Sequence, residues 1–143
     1  MKRKIILFFF GFLTFGSAQN TAPVDYWNSL EEKAKIAFVN GVYASTAAIK
    51  SYHKRQVREQ YLHHPGWIQP YYIERFYNIL DEQISEKVGY DLGLITAHMD
   101  ALYSNYDNRN IPLVKAIRIV SVDQDGEREK ANLLLLKAQR KYK

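Results

Sequence analysis

The chain is 143 residues long, carries a formal net charge of +5 and has no cysteine. A length of that order suits one domain with one core. The missing thiols exclude disulfides, thiol nucleophiles, thiolate metal sites and a lipid-modified N-terminal cysteine.

Lys2, Arg3 and Lys4 precede an apolar run over residues 5–15, broken by Gly11 and Thr14. Gly16 and Ala18 then stand at the −3 and −1 positions of a cut before Gln19. This is the pattern of a secretory signal peptide over residues 1–18. The run is shorter than the roughly 20 residues that a bilayer-spanning helix needs. Export to the periplasm or beyond, with no permanent span after cleavage, is the expectation. Cleavage removes three of the 20 Lys and Arg against 15 Asp and Glu, leaving a net charge of about +2. That excess is too small to nominate a nucleic-acid partner. An exported domain without disulfides depends on packing, and the eleven Tyr supply contact area while keeping a hydroxyl near water.

Residues 19–28 are polar, contain Pro23 and read as a leader ahead of a single helical domain over residues 29–143. Ser29, Leu30, Glu31 and Glu32 match a capping box, with Trp27 placed to staple against the first turns. Leu30, Ala34, Ala37, Phe38, Gly41, Val42, Ser45 and Ala48 recur at helical spacing and predict a core face. Its small residues predict close approach of a second helix, offsetting the roughly 1 kcal/mol that Gly41 costs against Ala.

Lys50, His53, Lys54, Arg55 and Arg58 follow as a basic run, interleaved with Tyr52 and Tyr61. One reading is a patch for an anion or an acidic partner, built from Lys50, Tyr52, Lys54, Arg55, Arg58 and Tyr61. The other, the commoner origin of such a run, is the solvated end of a long helix whose C-terminal dipole suits cations. Pro65 and Gly66 stop that helix. The next predicted helix starts near Pro70 and runs toward Val88. Ile73, Phe76, Tyr77, Leu80 and Ile84 form its apolar face, with Glu74, Arg75, Asn78, Asp81, Glu82 and Ser85 opposite. Its aromatics read as core or as a groove for a ligand.

Asp91 is placed to N-cap a helix whose stripe is Leu92, Ile95, Met99, Leu102 and Tyr106. Residues 105–110 form an Asn- and Asp-rich turn. Pro112 fits the first turn of the helix that follows. Residues 111–122 are interrupted only by Lys115, Arg118 and Ser121, so this helix belongs in the centre of the fold. Asp125 and Gly126 end it. The last helix turns Ala131, Leu134, Leu135, Ala138 and Tyr142 to one side, with Lys137, Arg140 and Lys141 near its C-terminal end. No stretch alternates with period two, so the fold class is all-α, a small bundle of four to five helices.

The sequence carries few signatures of catalytic or metal chemistry. His53, His63, His64 and His98 include no pair at the i, i+4 spacing of a zinc motif, so no metal site and no cofactor are expected. Aligning Gly126 with the sixth position of an EF-hand loop puts Ser121 first and Asn132 twelfth, where acids are required. No nucleophile elbow, phosphate loop or dinucleotide fingerprint occurs. Asp81 and Glu82, like Glu127 and Glu129, read as solvated pairs. The polar turn offers Asp100, Tyr103, Asp107, Asn108, Arg109 and Asn110 as a candidate site, with a network of caps and ion pairs as the simpler reading.

The block WNSLEEKAKIAFVNGVYAS, with its Trp-x-x-Leu start and Phe-Val-x-Gly element, resembles the opening of a group of small exported bacterial proteins of unknown function. MDALYSNYDNRNIPLVKAIRIV resembles their second signature. More remotely, the Gly-bearing first helix and the late Pro-initiated helix are similar to the Rap1a/Tai family of periplasmic immunity proteins. The resemblance implies a small helical exported protein and supplies no catalytic residues. The functional expectation is a non-enzymatic interaction module, immunity- or inhibitor-like, that binds a protein partner in the cell envelope. The alternative is a small-ligand or lipid-binding domain with a pocket lined by Tyr72, Phe76, Tyr77 and Met99. A hydrolase using Asp100 or Asp107 ranks last.

Overall fold

The computed structural model describes residues 21–61, 63–89 and 91–143, which are all-α. The segment expected to be a signal peptide, residues 1–18, lies outside the described residues. Six α-helices follow one another: α1 (Pro23–Ser29), α2 (Glu32–Tyr61), α3 (Tyr71–Asp81), α4 (Leu92–Tyr103), α5 (Leu113–Gln124) and α6 (Arg128–Lys141), with a 3₁₀ turn at Tyr106–Asn108.

The count exceeds the expected four to five because the leader folds. Pro23 opens α1, where its missing N–H costs nothing, and Trp27 is fully buried. Trp27 Nε1 donates to Asp100 Oδ1 on α4 at 2.7 Å, and its ring meets Phe38 of α2 edge-on at 6.4 Å. The expected capping box does not form. Ser29 is the last residue of α1 and its hydroxyl donates back to Tyr26 O at 2.7 Å, while Leu30 is extended between the two helices.

α5 holds the centre, as a segment apolar over most of its circumference must. Ala116, Ile117, Ile119, Val120, Ser121 and Val122 are buried, and α5 packs on α4 and α6. Pro112 is its N-cap residue, and Gly126 ends it at φ +89°. α4 contributes Ile95 and Met99, both fully buried. It stops at Tyr103, so Tyr106 falls off the predicted stripe and is exposed, whereas Tyr103 is buried. Asp91 precedes α4 without capping it through its side chain.

α2 is one helix of 30 residues, about 45 Å long, and the basic run is its second half. Its buried face is Val39, Tyr43 and Thr46, with Phe38 and Val42 partly buried. The predicted small-residue face is rotated away: Ala34, Ala37, Gly41, Ser45 and Ala48 are exposed, and a Cβ on Gly41 would meet nothing within 4 Å. Tyr43 and Thr46 win the core because the Tyr43 hydroxyl finds partners there. It pairs with Ser121 Oγ at 2.8 Å and accepts from the Ser85 N–H at 3.1 Å.

α3 ends at Asp81 rather than near Val88. Residues 82–88 turn back across the bundle, and Glu82 and Ser85, expected on a solvated face, are buried. Asp125 accepts from Ser85 Oγ at 2.7 Å and from the Lys87 N–H at 3.1 Å, which fixes this return against the end of α5.

Candidate functional site

The far half of α2 meets α3 through His53 and Lys50 and the chain return through Tyr61. His53 turns inward there. Its Nδ1 is 2.9 Å from the Tyr77 hydroxyl, and its ring meets Phe76 and Tyr77 edge-on at 5.1 and 5.5 Å. After α2 the chain reverses through Gly66, whose φ of +81° a β-carbon would strain. The reversal lays Trp67 flat on Tyr61, with ring centroids 4.6 Å apart and planes 7° from parallel. Trp67 lines an open groove of about 680 Å³ shared by α2, the return and Tyr77 of α3.

Lys54, Arg55 and Arg58 line this groove with Trp67 and Tyr77, and no carboxylate does. Lys54 Nζ lies 5.1 Å from the Tyr77 ring centroid, a cation–π geometry. Arg55 leans on Tyr52 at 5.4 Å and faces Glu59 at 3.9 Å. Among the described residues, Lys54 and Arg58 make no ion pair. Nearby, Ile68, Tyr71, Tyr72 and Tyr52 are 85%, 75%, 71% and 59% exposed, far more than residues of these types spend in a folded interior. Of the six residues predicted for a partner surface, three therefore share the groove. Lys50 is diverted to Asp81 of α3, Tyr52 is an outer flank, and Tyr61 backs Trp67.

The predicted aromatic pocket does not exist. Tyr72 is in solvent, Phe76 is half-buried on His53, Tyr77 lines the basic groove, and Met99 lies fully buried in the central core. Helical geometry separates them: Tyr72 and Tyr77 sit on different sides of α3, and α4 turns Met99 into the core.

The polar turn is a structural junction. Asp100 Oδ1 accepts from Trp27 and, at 2.7 Å, from Lys35 Nζ. The Tyr103 hydroxyl donates to Ile111 O at 2.6 Å, and burial pushes this phenol far above its ordinary pKa. Asn108 donates to Leu102 O at 2.7 Å and accepts from Gln139 Nε2 at 2.9 Å. Asn105 Oδ1 accepts from the Asp107 N–H at 3.0 Å, the side-chain turn that the Asn-rich stretch implies. Arg109 lies over the Tyr106 ring at 5.2 Å and faces Asp25 at 3.9 Å, and Asn110 is exposed. Asp100 and Asp107 share no interaction, so the turn presents no carboxylate pair. Among the described residues no three His, Asp or Glu side chains converge as a metal site.

Two features of this region leave little trace in the sequence. Trp67 as a groove wall had only the Pro65-Gly66 break to announce it. Glu82 is the second: its side chain, 6% exposed, pairs with Arg118 of α5, Lys130 of α6 at 3.1 Å and Arg75 of α3 at 3.6 Å. Burial alone would raise this carboxyl, but the hydrogen bonds from Lys130 and Arg118 outweigh it and hold the pKa below the usual value. No helix among the described residues is long and apolar enough to cross a membrane. Compared with known proteins, the chain matches no family model, no curated protein and no solved structure.

Proposed function

We propose that the chain is an exported, non-enzymatic interaction module that docks an acidic segment of a protein partner in the cell envelope, as an immunity- or inhibitor-like protein would. One observation carries this reading: Lys54 and Arg58 stand without ion-pair partners in a carboxylate-free groove walled by Trp67 and Tyr77. Aromatic side chains and Arg dominate the energetic centres of interfaces, and charge complementarity sets approach and register. The exposed Ile68, Tyr71 and Tyr72 extend the contact beside the charges. Enclosed ligand sites bury most of their ligand, whereas this groove is open along its length.

Affinity capture from the cell envelope tests the reading, with the wild type run beside Lys54→Glu/Arg55→Glu/Arg58→Glu and bound material identified by mass spectrometry. The expected result is a protein retained by the wild type and lost from the charge-reversed form. Retention of the same proteins by both, or of lipid that ignores the charges, would overturn it.

A further inference from the structure

On the opposite half of the chain, α5 and α6 pack with a shallow cleft of about 180 Å³ between them. Lys115, Arg118, Lys137 and Lys141 rim it, and Ile119, Leu134, Ala138 and Tyr142 form its apolar floor and end. No Asp or Glu lines it. Arg118 is committed through its terminal nitrogen to Glu82, yet its Nε is buried with no hydrogen-bond partner among the described residues. Lys115, Lys137 and Lys141 make no ion pair there either; Lys141 only leans over the Tyr142 ring at 5.4 Å. Lys137 and Lys141 lie four residues apart on α6, where like charges repel. Lys141 lies in the last turn of α6, where the helix dipole favours a cation, but Lys137 and Lys115 have no such compensation.

We propose that this cleft binds a small amphiphilic carboxylate, a single short acyl chain bearing one negative head. The head sits among Lys115, Lys137 and Lys141, and the chain lies on Ile119, Leu134 and Ala138. The cleft, at about 180 Å³, matches a short chain with a single head. A purely inorganic anion would use the lysines and leave the apolar floor idle. The site is separate from the groove on α2 and does not depend on the function proposed for it.

The test is a titration of the isotopically labelled protein with acetate, butyrate and hexanoate, and with hexylammonium as the cationic control, followed on the backbone amide signals of Ile119, Leu134 and Ala138. Saturable shifts are expected at those signals, with affinity rising along the series by up to roughly fourfold per buried methylene. Hexylammonium is expected to produce none. Lys137→Glu/Lys141→Glu should weaken hexanoate at least tenfold with an unchanged fold, and Lys115→Gln/Lys137→Gln provides the same reading should the reversal fail to fold. Equal binding of acetate and hexanoate, shifts scattered elsewhere, or charge-insensitive binding would overturn the proposal. So would a response to phosphatidylglycerol vesicles without one to monomeric hexanoate.

Discussion

Glu82 meets Arg75, Arg118 and Lys130 from three different helices, so one carboxylate fastens the end of α3 to α5 and α6. Its pKa is depressed in the folded chain, which sets the direction of its pH dependence. The stabilisation is complete above the unfolded value of about 4.5 and is lost as pH falls through the lower folded value. Acid titration of thermal stability should therefore show a decline below about pH 4.5 that Glu82→Gln removes. At neutral pH the same substitution should cost about 3 kcal/mol, because it leaves Arg118 nearly buried without its counter-charge. An unchanged acid limb in Glu82→Gln would assign the decline to other carboxylates. Gly41 works in the opposite direction. It lies inside α2 with open space where a Cβ would go, so Gly41→Ala should raise stability by about 0.5–1 kcal/mol in chemical denaturation. A loss instead would mean that the exposed face of α2 is covered in solution.

At the scale of the element, α1 is held by two buried side chains, Val24 and Trp27, of which Trp27 is the larger and the more deeply buried. Trp27 is fully buried, bonds Asp100 and lies under Lys35 Nζ at 5.2 Å, while its neighbours Tyr26 and Asn28 face solvent. Trp27→Ala should cost about 3–5 kcal/mol, and amide exchange across α1 should accelerate while α5 stays protected. Retained protection in α1 would place its anchor in the Val24 N–H bond to Arg109 O instead. Helix identity was legible wherever one apolar period dominated: α5 by its continuous burial, α6 by Ala131, Leu134, Leu135 and Ala138, and α4 by Ile95 and Met99. What was not legible turned on long-range partners. The face of α2 was misread because Ala and Gly fit a core face or a bare one equally well, and Tyr43 was decided by Ser121, 78 residues away. Residues 82–88 read as helix because nothing local reveals the cations that Arg118 and Lys130 bring to Glu82. Of the candidate site, the basic run was visible as composition. Its conversion into a groove needed the Gly66 reversal and the stacking of Trp67 on Tyr61, neither of which leaves a periodic trace.

At the scale of the whole molecule, α2 links the core to the basic groove. α4, α5 and α6 form the core with Trp27 and the Val39 and Tyr43 face of α2, and the far half of α2 carries its cations and aromatics outward. Lys50 is neutralised by Asp81 and Arg55 is shared with Glu59, which leaves Lys54 and Arg58 as the free charges of the groove. In the proposed function these two cations and Trp67 make the contact with an acidic partner. The most direct measurement is calorimetric titration of the captured partner, at low and at physiological salt, against the wild type, Lys54→Glu/Arg58→Glu, Trp67→Ala and Lys137→Glu/Lys141→Glu. Binding at least tenfold weaker is expected for the first two variants, with weaker wild-type binding at the higher salt and no change for the third, whose charges lie on α6. Wild-type affinity in both Lys54→Glu/Arg58→Glu and Trp67→Ala would contradict it and move the interface off this groove.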